Sequence, residues 1–194
     1  MKITSVNELV EAIKERAQGT RYFIIAISGF GGSGKSTLSK HLAQLLGDTT
    51  IVSVDDFSLH RQAARAQAWE SLDWDRLALQ VLKPLKNGDS EITYDIYDWS
   101  SDSLQEKRTI SLTRYVIIEG IGCIRDELMH YFDLTVWLDV PLTIASERGK
   151  KRDREIFNID HDKQWDEIWT PNDKDYFERC HPVQKADFIL SLGE

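Results

Sequence analysis

The sequence predicts a three-layer α/β/α fold around a mostly parallel central sheet. Three observations carry that prediction: continuous apolar runs at 22–28, 115–118 and 134–140, helical stripes of leucine and valine between them, and a glycine-rich turn that joins the first run to a helix. Parallel strands are covered on both faces by helices, so they read as unbroken apolar runs rather than alternating ones.

Taken in order, residues 5–17 place Val6, Leu9, Val10 and Ile13 at helical spacing. The run at 22–28 is apolar and β-branched, a buried strand. From 34 to 46 the positions Leu38, Leu42, Leu45 and Leu46 form a helical stripe that Gly47 can end. Residues 50–54 form the next strand. A second helical pattern starts at Asp73, continues through Leu77, Val81 and Leu85, and stops at Asn87-Gly88. Runs of alternating polarity at 91–97 and 107–112 suit an antiparallel hairpin outside the main sheet, an insertion at about 90–113. The apolar runs at 115–118, 134–140 and 188–190 supply the remaining strands. Residues 148–175 differ, gathering Arg148, Lys150, Lys151, Arg152 and Arg154 ahead of a polar segment with Trp165 and Trp169, and they read as a helical lid. The length of 194 residues fits one domain, 1–194, carrying hairpin and lid.

Composition narrows the function. Hydrophobic residues at 41% and charged residues at 29% exclude a disordered or membrane-embedded chain. Lys plus Arg number 24 against 32 Asp plus Glu, and a net charge of −8 argues against nucleic acid or an anionic membrane as partner. Any phosphate must be gripped locally. Cys123 and Cys180 lie far apart with no CxxC pair, so they read as reduced core thiols rather than a disulfide framework or zinc ribbon. Residues 1–18 are charged and amphipathic, and no apolar stretch reaches about 18 residues, so the expected location is the cytoplasm. A homo-oligomer is compatible with this composition.

Gly29-Phe30-Gly31-Gly32-Ser33-Gly34-Lys35-Ser36 matches G-x-x-x-x-G-K-[ST] between a predicted strand and a predicted helix. Such glycines turn consecutive N–H groups inward as an anion nest, and the helix N-terminus faces the same point with its positive dipole end. Gly29, Gly31, Gly32, Ser33, Gly34, Lys35, Ser36 and Thr37 are therefore the candidate nucleotide contacts. Lys35 would reach the β- and γ-phosphates, and Ser36 would offer its hydroxyl to Mg²⁺. The context selects the P-loop NTPase type of α/β/α fold, with ATP and Mg²⁺ as expected cofactors. Glu119 ends the apolar run Tyr115-Val116-Ile117-Ile118 at the carboxyl edge of the sheet, where ligands bind, and is the candidate metal residue.

The acceptor side rests on Ile51-Val52-Ser53-Val54-Asp55-Asp56-Phe57. A strand beside the P-loop strand would present Asp55 to the γ-phosphate, where it could take the proton of an incoming hydroxyl.

These motifs together resemble the uridine kinase and phosphoribulokinase-like group of P-loop small-molecule kinases. The resemblance runs from Phe23 to Leu190 through the P-loop, Ser53-Val54-Asp55-Asp56-Phe57, Leu72-Asp73-Trp74-Asp75, Tyr94-Asp95, Ile118-Glu119-Gly120-Ile121, Arg148-Gly149-Lys150-Lys151-Arg152-Asp153 and Lys185-Ala186-Asp187-Phe188-Ile189. It implies an ATP- and Mg²⁺-dependent kinase of a small-molecule hydroxyl, a nucleoside being the favoured acceptor and a pantothenate- or glycerate-like alcohol the alternative. It also implies that Asp55 is the catalytic base, that Asp73 holds ribose-type hydroxyls, that Tyr94 lines the acceptor pocket, that Ser36 and Glu119 serve Mg²⁺, and that Arg148 and Arg152 close over the phosphates. Mobile arginines suit that last task, since they can neutralise charge spread over the γ-phosphoryl oxygens.

Two positions depart from the uridine kinase pattern: Ser58 stands where a Tyr follows the acidic-aromatic motif, and Trp99 where a His follows the hairpin Tyr-Asp. Trp99 is retained as a substrate candidate through stacking; with Trp74, Tyr94 and Tyr97 it forms either an aromatic acceptor pocket or the packing of hairpin on core. The histidines, His41 in a helix, His60 in a loop, His130 at a helix end, His161 in the lid and His181 in a turn, show no metal-ligand spacing. A nucleotide-dependent switch is the competing class. It lacks support from an Asp-x-x-Gly after the P-loop or an Asn-Lys-x-Asp, because Asn172-Asp173-Lys174-Asp175 has the wrong order.

Overall fold

Six short strands lie side by side in the computed structural model, which describes residues 1–3, 5–59 and 67–191. The strands are β1 (Lys2–Ile3), β2 (Phe23–Ser28), β3 (Thr49–Ser53), β4 (Glu91–Asp98), β5 (Ser103–Ser111), β6 (Tyr115–Glu119), β7 (Leu134–Leu138) and β8 (Phe188–Leu190). β4 and β5 form an antiparallel hairpin of their own. The other six run in the order β1-β8-β7-β2-β6-β3, every neighbouring pair parallel. The helices are α1 (Val6–Arg16), α2 (Lys35–Leu46), α3 (Trp74–Leu77), α4 (Lys83–Asn87), α5 (Asp126–Met129), α6 (Leu142–Glu155), α7 (Asp162–Gln164), α8 (Thr170–Cys180) and α9 (Pro182–Lys185).

Alternation along β2 builds the three layers. Ile25 and Ile27 join Leu9 and Ile13 of α1 and Leu38 and Leu42 of α2 on one face of the sheet. Ile24 and Ala26 face the other way, toward Leu77, Val81, Leu85, the hairpin's Tyr94 and Tyr176 of α8. Each fully buried aliphatic side chain contributes about 2 kcal/mol, so both faces of β2 anchor the fold.

The expected neighbour of the P-loop strand is corrected. β6, not β3, pairs with β2, and β3 lies one strand further out at the edge. All five residues of β6 are buried, whereas β3 alternates between buried and half-buried positions, and a strand covered on both faces belongs inside the sheet.

The helix expected from Asp73 to Asn87 is interrupted by a π turn over Ala78–Leu82, between α3 and α4. Pro84 has no N–H for the carbonyl of Gln80, and its ring crowds that carbonyl. Strand β5 starts at Ser103, earlier than the alternation marks, because the register shifts between Asp95 and Tyr97. β1 and α5 are too short to leave a periodic signal. The thiols are both free, but only Cys123 is a core thiol; Cys180 is half-buried on α8. His60 lies outside the described residues. No helix among the described residues is long and apolar enough to cross a membrane.

Candidate active site

The glycine-rich turn follows β2 directly and feeds α2. Gly32 and Gly34 have φ of +78° and +99°, the left-handed region open to glycine, which the bend of the loop requires. At Gly32 glycine is needed twice over: a Cβ there would stand 2.1 Å from the carbonyl oxygen of Ala145 on α6. Lys35 Nζ folds over the loop, donating to the carbonyls of Gly29 (3.0 Å) and Phe30 (2.9 Å). Ser33 Oγ is buried without a hydrogen-bond partner among the described residues, an unspent group in the cradle.

The strand ends β2, β6 and β3 set the acidic groups beside this loop. Glu119 closes β6, in register with Ile27 on one side and Ser53 on the other. Its Oε1 accepts a hydrogen bond from Ser36 Oγ (3.0 Å). Burial raises its pKa, Lys35 opposes that, and Asp55 adds to it. Ser36 and Glu119 are hard oxygen donors, and no three His, Cys, Asp or Glu side chains cluster as a metal cage among the described residues. That donor set fits Mg²⁺, which is held by one or two carboxylates together with water and substrate phosphates.

Asp55 sits two residues beyond the end of β3, in a 3₁₀ turn over Val54–Phe57. Ser53 caps the turn, accepting from Asp55 N (3.3 Å), and Ser58 Oγ donates to the Asp55 carbonyl (3.0 Å). The departure at position 58 is thus a buried turn closure. Gly120, with φ of +153°, seats the turn from below: a Cβ would lie 1.9 Å from Val54 Cγ2. Asp55 keeps a solvent-facing side, yet the protein crowding it raises its pKa, Lys35 and Arg152 pulling the other way and Asp56 adding to the rise.

Asp56 turns to the hairpin, accepting from Tyr94 Oη (3.2 Å) and Arg108 Nη1 (3.2 Å). The Tyr94 ring is 0% exposed and stacks on Phe57, so it belongs to the core and only its hydroxyl reaches the site. Burial pushes that phenol up to about 12. Asp73 caps α3, accepting from Arg76 N (2.9 Å), with Arg76 Nε at 3.4 Å from its other oxygen. Trp99 lies at the turn end of the hairpin, 50% exposed, edge-to-face on Tyr97. The aromatic set therefore divides: Tyr94 and Tyr97 are core, Trp74 packs under the Arg125 guanidinium, and Trp99 stands outside.

Residues 24–191 match the Phosphoribulokinase / Uridine kinase family model. The chain belongs to that family. It is 28% identical over 180 residues to a uridine kinase of Borrelia garinii subsp. bavariensis, a match covering 88% of this chain and 86% of that one. A phosphoribulokinase of Synechocystis sp. is 33% identical over 129 residues, covering 62% of this chain but 38% of the relative. Among solved structures, a possible uridine kinase from Bacillus stearothermophilus superposes with a TM-score of 0.74 at 22% identity, covering 95% of this chain and 96% of that one. By family the chain is a kinase, a phosphotransferase with an alcohol acceptor, on a P-loop fold.

In this family member the segment 148–175, read from the sequence as a lid, is helical, and one side of it packs on the P-loop. Trp165 packs against Gly31 and Gly149, where Cβ atoms would meet its ring at 3.0 and 2.3 Å. Arg152 lies against its neighbour Asp153 (Nη2 to Oδ1, 2.8 Å) while its charge reaches Asp55. Burial would raise Asp153, but Trp165, Arg152 and His161 bonding to it hold it below the usual range. Arg148 does not face the loop. It is exposed with Thr143, Glu147 and Lys151 on the outer side of α6.

Two residues of the kinase site carry no sequence signal. Arg76 is buried and donates to the carbonyls of Asp95 (2.6 Å), Ser58 (3.1 Å) and Asp56 (3.3 Å), tying hairpin, turn and α3 together. Asp173, inside the run dismissed as a wrong-order guanine motif, accepts from the P-loop N–H of Gly31 (2.7 Å).

Proposed function

We propose that this kinase transfers the γ-phosphoryl group of ATP, with Mg²⁺, to a hydroxyl of a nucleoside. The observation that carries the reading is the electrostatic meeting of Asp55 with Lys35 and Arg152 at the mouth of the P-loop. Asp55 accepts the proton of the incoming hydroxyl as its oxygen bonds to the γ-phosphorus and the bond to the ADP oxygen breaks. A raised carboxyl pKa suits a base, bringing it nearer the operating pH. Lys35 offsets charge on the transferring group from the loop side, and Arg152 does so from α6 once it leaves Asp153. Ser36 and Glu119 hold the metal, which when bound neutralises phosphate charge. Asp73 holds acceptor hydroxyls with the lone pairs its two bonds to Arg76 leave over.

A second reading, a small hydroxy acid as acceptor, draws support from Arg108. This cation lies half-exposed beside Asp56 at the acceptor side of the cleft and could meet a carboxylate.

The test is product detection by mass across nucleosides, pantothenate and glycerate. Asp55→Asn should lower kcat about 10³-fold while ATP affinity stays within about threefold, as loss of a general base does. Unchanged turnover would remove Asp55 as the base. Lys35→Ala should abolish nucleotide binding itself, and ATP consumption indifferent to every acceptor would favour the switch.

A further inference from the structure

The peptide unit between Phe30 and Gly31 is held at both ends. Its carbonyl accepts from Lys35 Nζ (2.9 Å) and its N–H donates to Asp173 Oδ2 (2.7 Å). The other carboxylate oxygen, Oδ1, accepts from Trp69 Nε1 (2.8 Å). An ammonium, a peptide, a carboxylate and an indole thus form one continuous chain from the phosphate cradle to the segment at 67–69. Hydrogen bonds in series polarise one another, more so with a charge in the chain.

The carboxylate itself calls for a reason. Asp173 is 1% exposed, and its direct partners among the described residues are two neutral N–H groups, with Lys35 acting through space. A buried carboxylate without a contacting cation is unfavourable, and a clamp on Gly31 needs only a neutral acceptor. The segment at the far end is held under strain. Ala68 and Trp69 have φ of +51° and +60°, a region that residues with a Cβ leave unless their surroundings impose it. Trp69 N donates to Asn172 Oδ1 (3.4 Å), and Trp69 O accepts from Trp74 Nε1 (3.2 Å), which leads to Asp73 on the acceptor side.

We propose that Asp173 is a positioning residue that fixes Lys35 through the Phe30–Gly31 peptide and relays occupancy of the phosphate cradle to the Trp69 segment. The inference rests on the nucleotide reading above. With Asp173 in place, the Gly31 N–H points to α8 and the Phe30 carbonyl points to Lys35; without it, only the Ser33 N–H (3.0 Å) still steadies that carbonyl, the peptide is freer to turn, and the ammonium loses one of its two carbonyl partners, keeping Gly29. When phosphates draw the ammonium toward themselves, the carbonyl is less polarised, the Gly31 N–H bond to Asp173 weakens, and the indole bond at the other oxygen responds.

Calorimetry with Mg·AMP-PNP and ¹H–¹⁵N spectra of the indole N–H groups test this on the full chain. Asp173→Ala should weaken AMP-PNP binding about tenfold, the effect of a lost hydrogen bond to a charged partner. Asp173→Asn should stay within about threefold, because its amide oxygen still accepts from Gly31, but its NH₂ cannot accept from Trp69. The Trp69 indole signal, assigned by its loss in Trp69→Phe, should move on AMP-PNP binding in the wild type and stay still in Asp173→Asn. Asp173→Asn keeps the test alive should the alanine variant not fold. Wild-type binding with an unmoved Trp69 signal would overturn the relay, and Asp173→Ala binding as tightly as the wild type would overturn the positioning role, either result leaving the nucleotide reading in place. A wild type that does not bind AMP-PNP would overturn the nucleotide reading and the relay with it.

Discussion

The two sides of the cleft are built on different principles. On the nucleotide side, most of the contacts come from one stretch, 29–37, where Gly32 and Gly34 take the left-handed turn, with Glu119 and Asp173 bracing it from β6 and α8. On the acceptor side, the turn carrying Asp55 and Asp56 is held by groups from three distant segments: Arg76 on α3, Tyr94 and Arg108 on the hairpin, and Gly120 after β6. A backbone cradle reads any triphosphate the same way, whereas a pocket assembled from side chains on separate elements can change its acceptor by changing one of them. Divergence in acceptor within one family is expected on the second side and not on the first.

Arg76→Met breaks the acceptor side most. The guanidinium is buried, and its removal strips three carbonyls of their donor and leaves the Asp73 carboxylate unpaired at that edge. Removing one partner of a buried ion pair costs about 3 to 5 kcal/mol, and the partial exposure of Asp73 points to the lower end. Urea unfolding should show a loss of about 3 kcal/mol, with Mg·AMP-PNP affinity of the folded fraction within about twofold of wild type. An equal loss of nucleotide affinity would mean that the two sides are not separately built.

On the nucleotide side the sharper experiment is a pH series. Asp173 titrates at about 6 in the fold against an ordinary 3.8, burial being the main cause and the Gly31 N–H opposing it. The folded chain therefore holds that proton more tightly than the unfolded chain. The group costs stability above pH 6, and that cost is relieved as pH falls through 6 toward 3.8. The gap of about 2 corresponds to about 3 kcal/mol at most. Between about pH 7 and pH 4.5, wild type should gain about 2 kcal/mol relative to Asp173→Asn, measured by urea unfolding of both proteins. Asp153 and Asp187, both held low, lose stability in acid, but they do so in both proteins and cancel in the difference. A pH-independent difference would show that Asp173 is not the buried acid described.

The same division governs what the sequence discloses. Gly29 to Ser36 is legible because the whole cradle is local: motif, strand and helix adjoin, and the loop's geometry follows from its glycines. Glu119 is legible because an unbroken apolar run aims it at the carboxyl edge. The order of strands is not, since β6 pairs between β2 and β3 only through long-range burial, and Thr49–Ser53 alternates in burial but not in its residue types. Arg76 is hidden because its partners are carbonyls, which every residue carries. Asp173 is hidden in an acidic stretch that reads as a solvated helix face, although it is one of the most buried groups of the chain. Tyr94 is expected to line the acceptor pocket, but its ring goes to the core because Phe57 offers it a stacking face, and only its hydroxyl meets Asp56.

Trp99 gives the smallest effect and the finest discrimination on the acceptor side. It stands where the uridine kinase pattern leads one to expect a His, beyond the register shift, with its ring edge-to-face on Tyr97 at 4.9 Å. An aromatic pair of this kind is worth about 1 kcal/mol beyond area, and half exposure reduces what Trp99→Ala removes to about 0.5 to 1 kcal/mol. For a protein of this length that corresponds to a thermal midpoint lower by about 2 °C. The acceptor KM, measured with whichever compound of the panel is phosphorylated, should stay within about threefold, because Tyr97 and not a bound base supplies the ring's contact. A KM rise of tenfold or more with an unchanged midpoint would reverse the assignment: the indole would then be a stacking surface for the acceptor, and the hairpin end would have to close over the cleft for the ring to reach it.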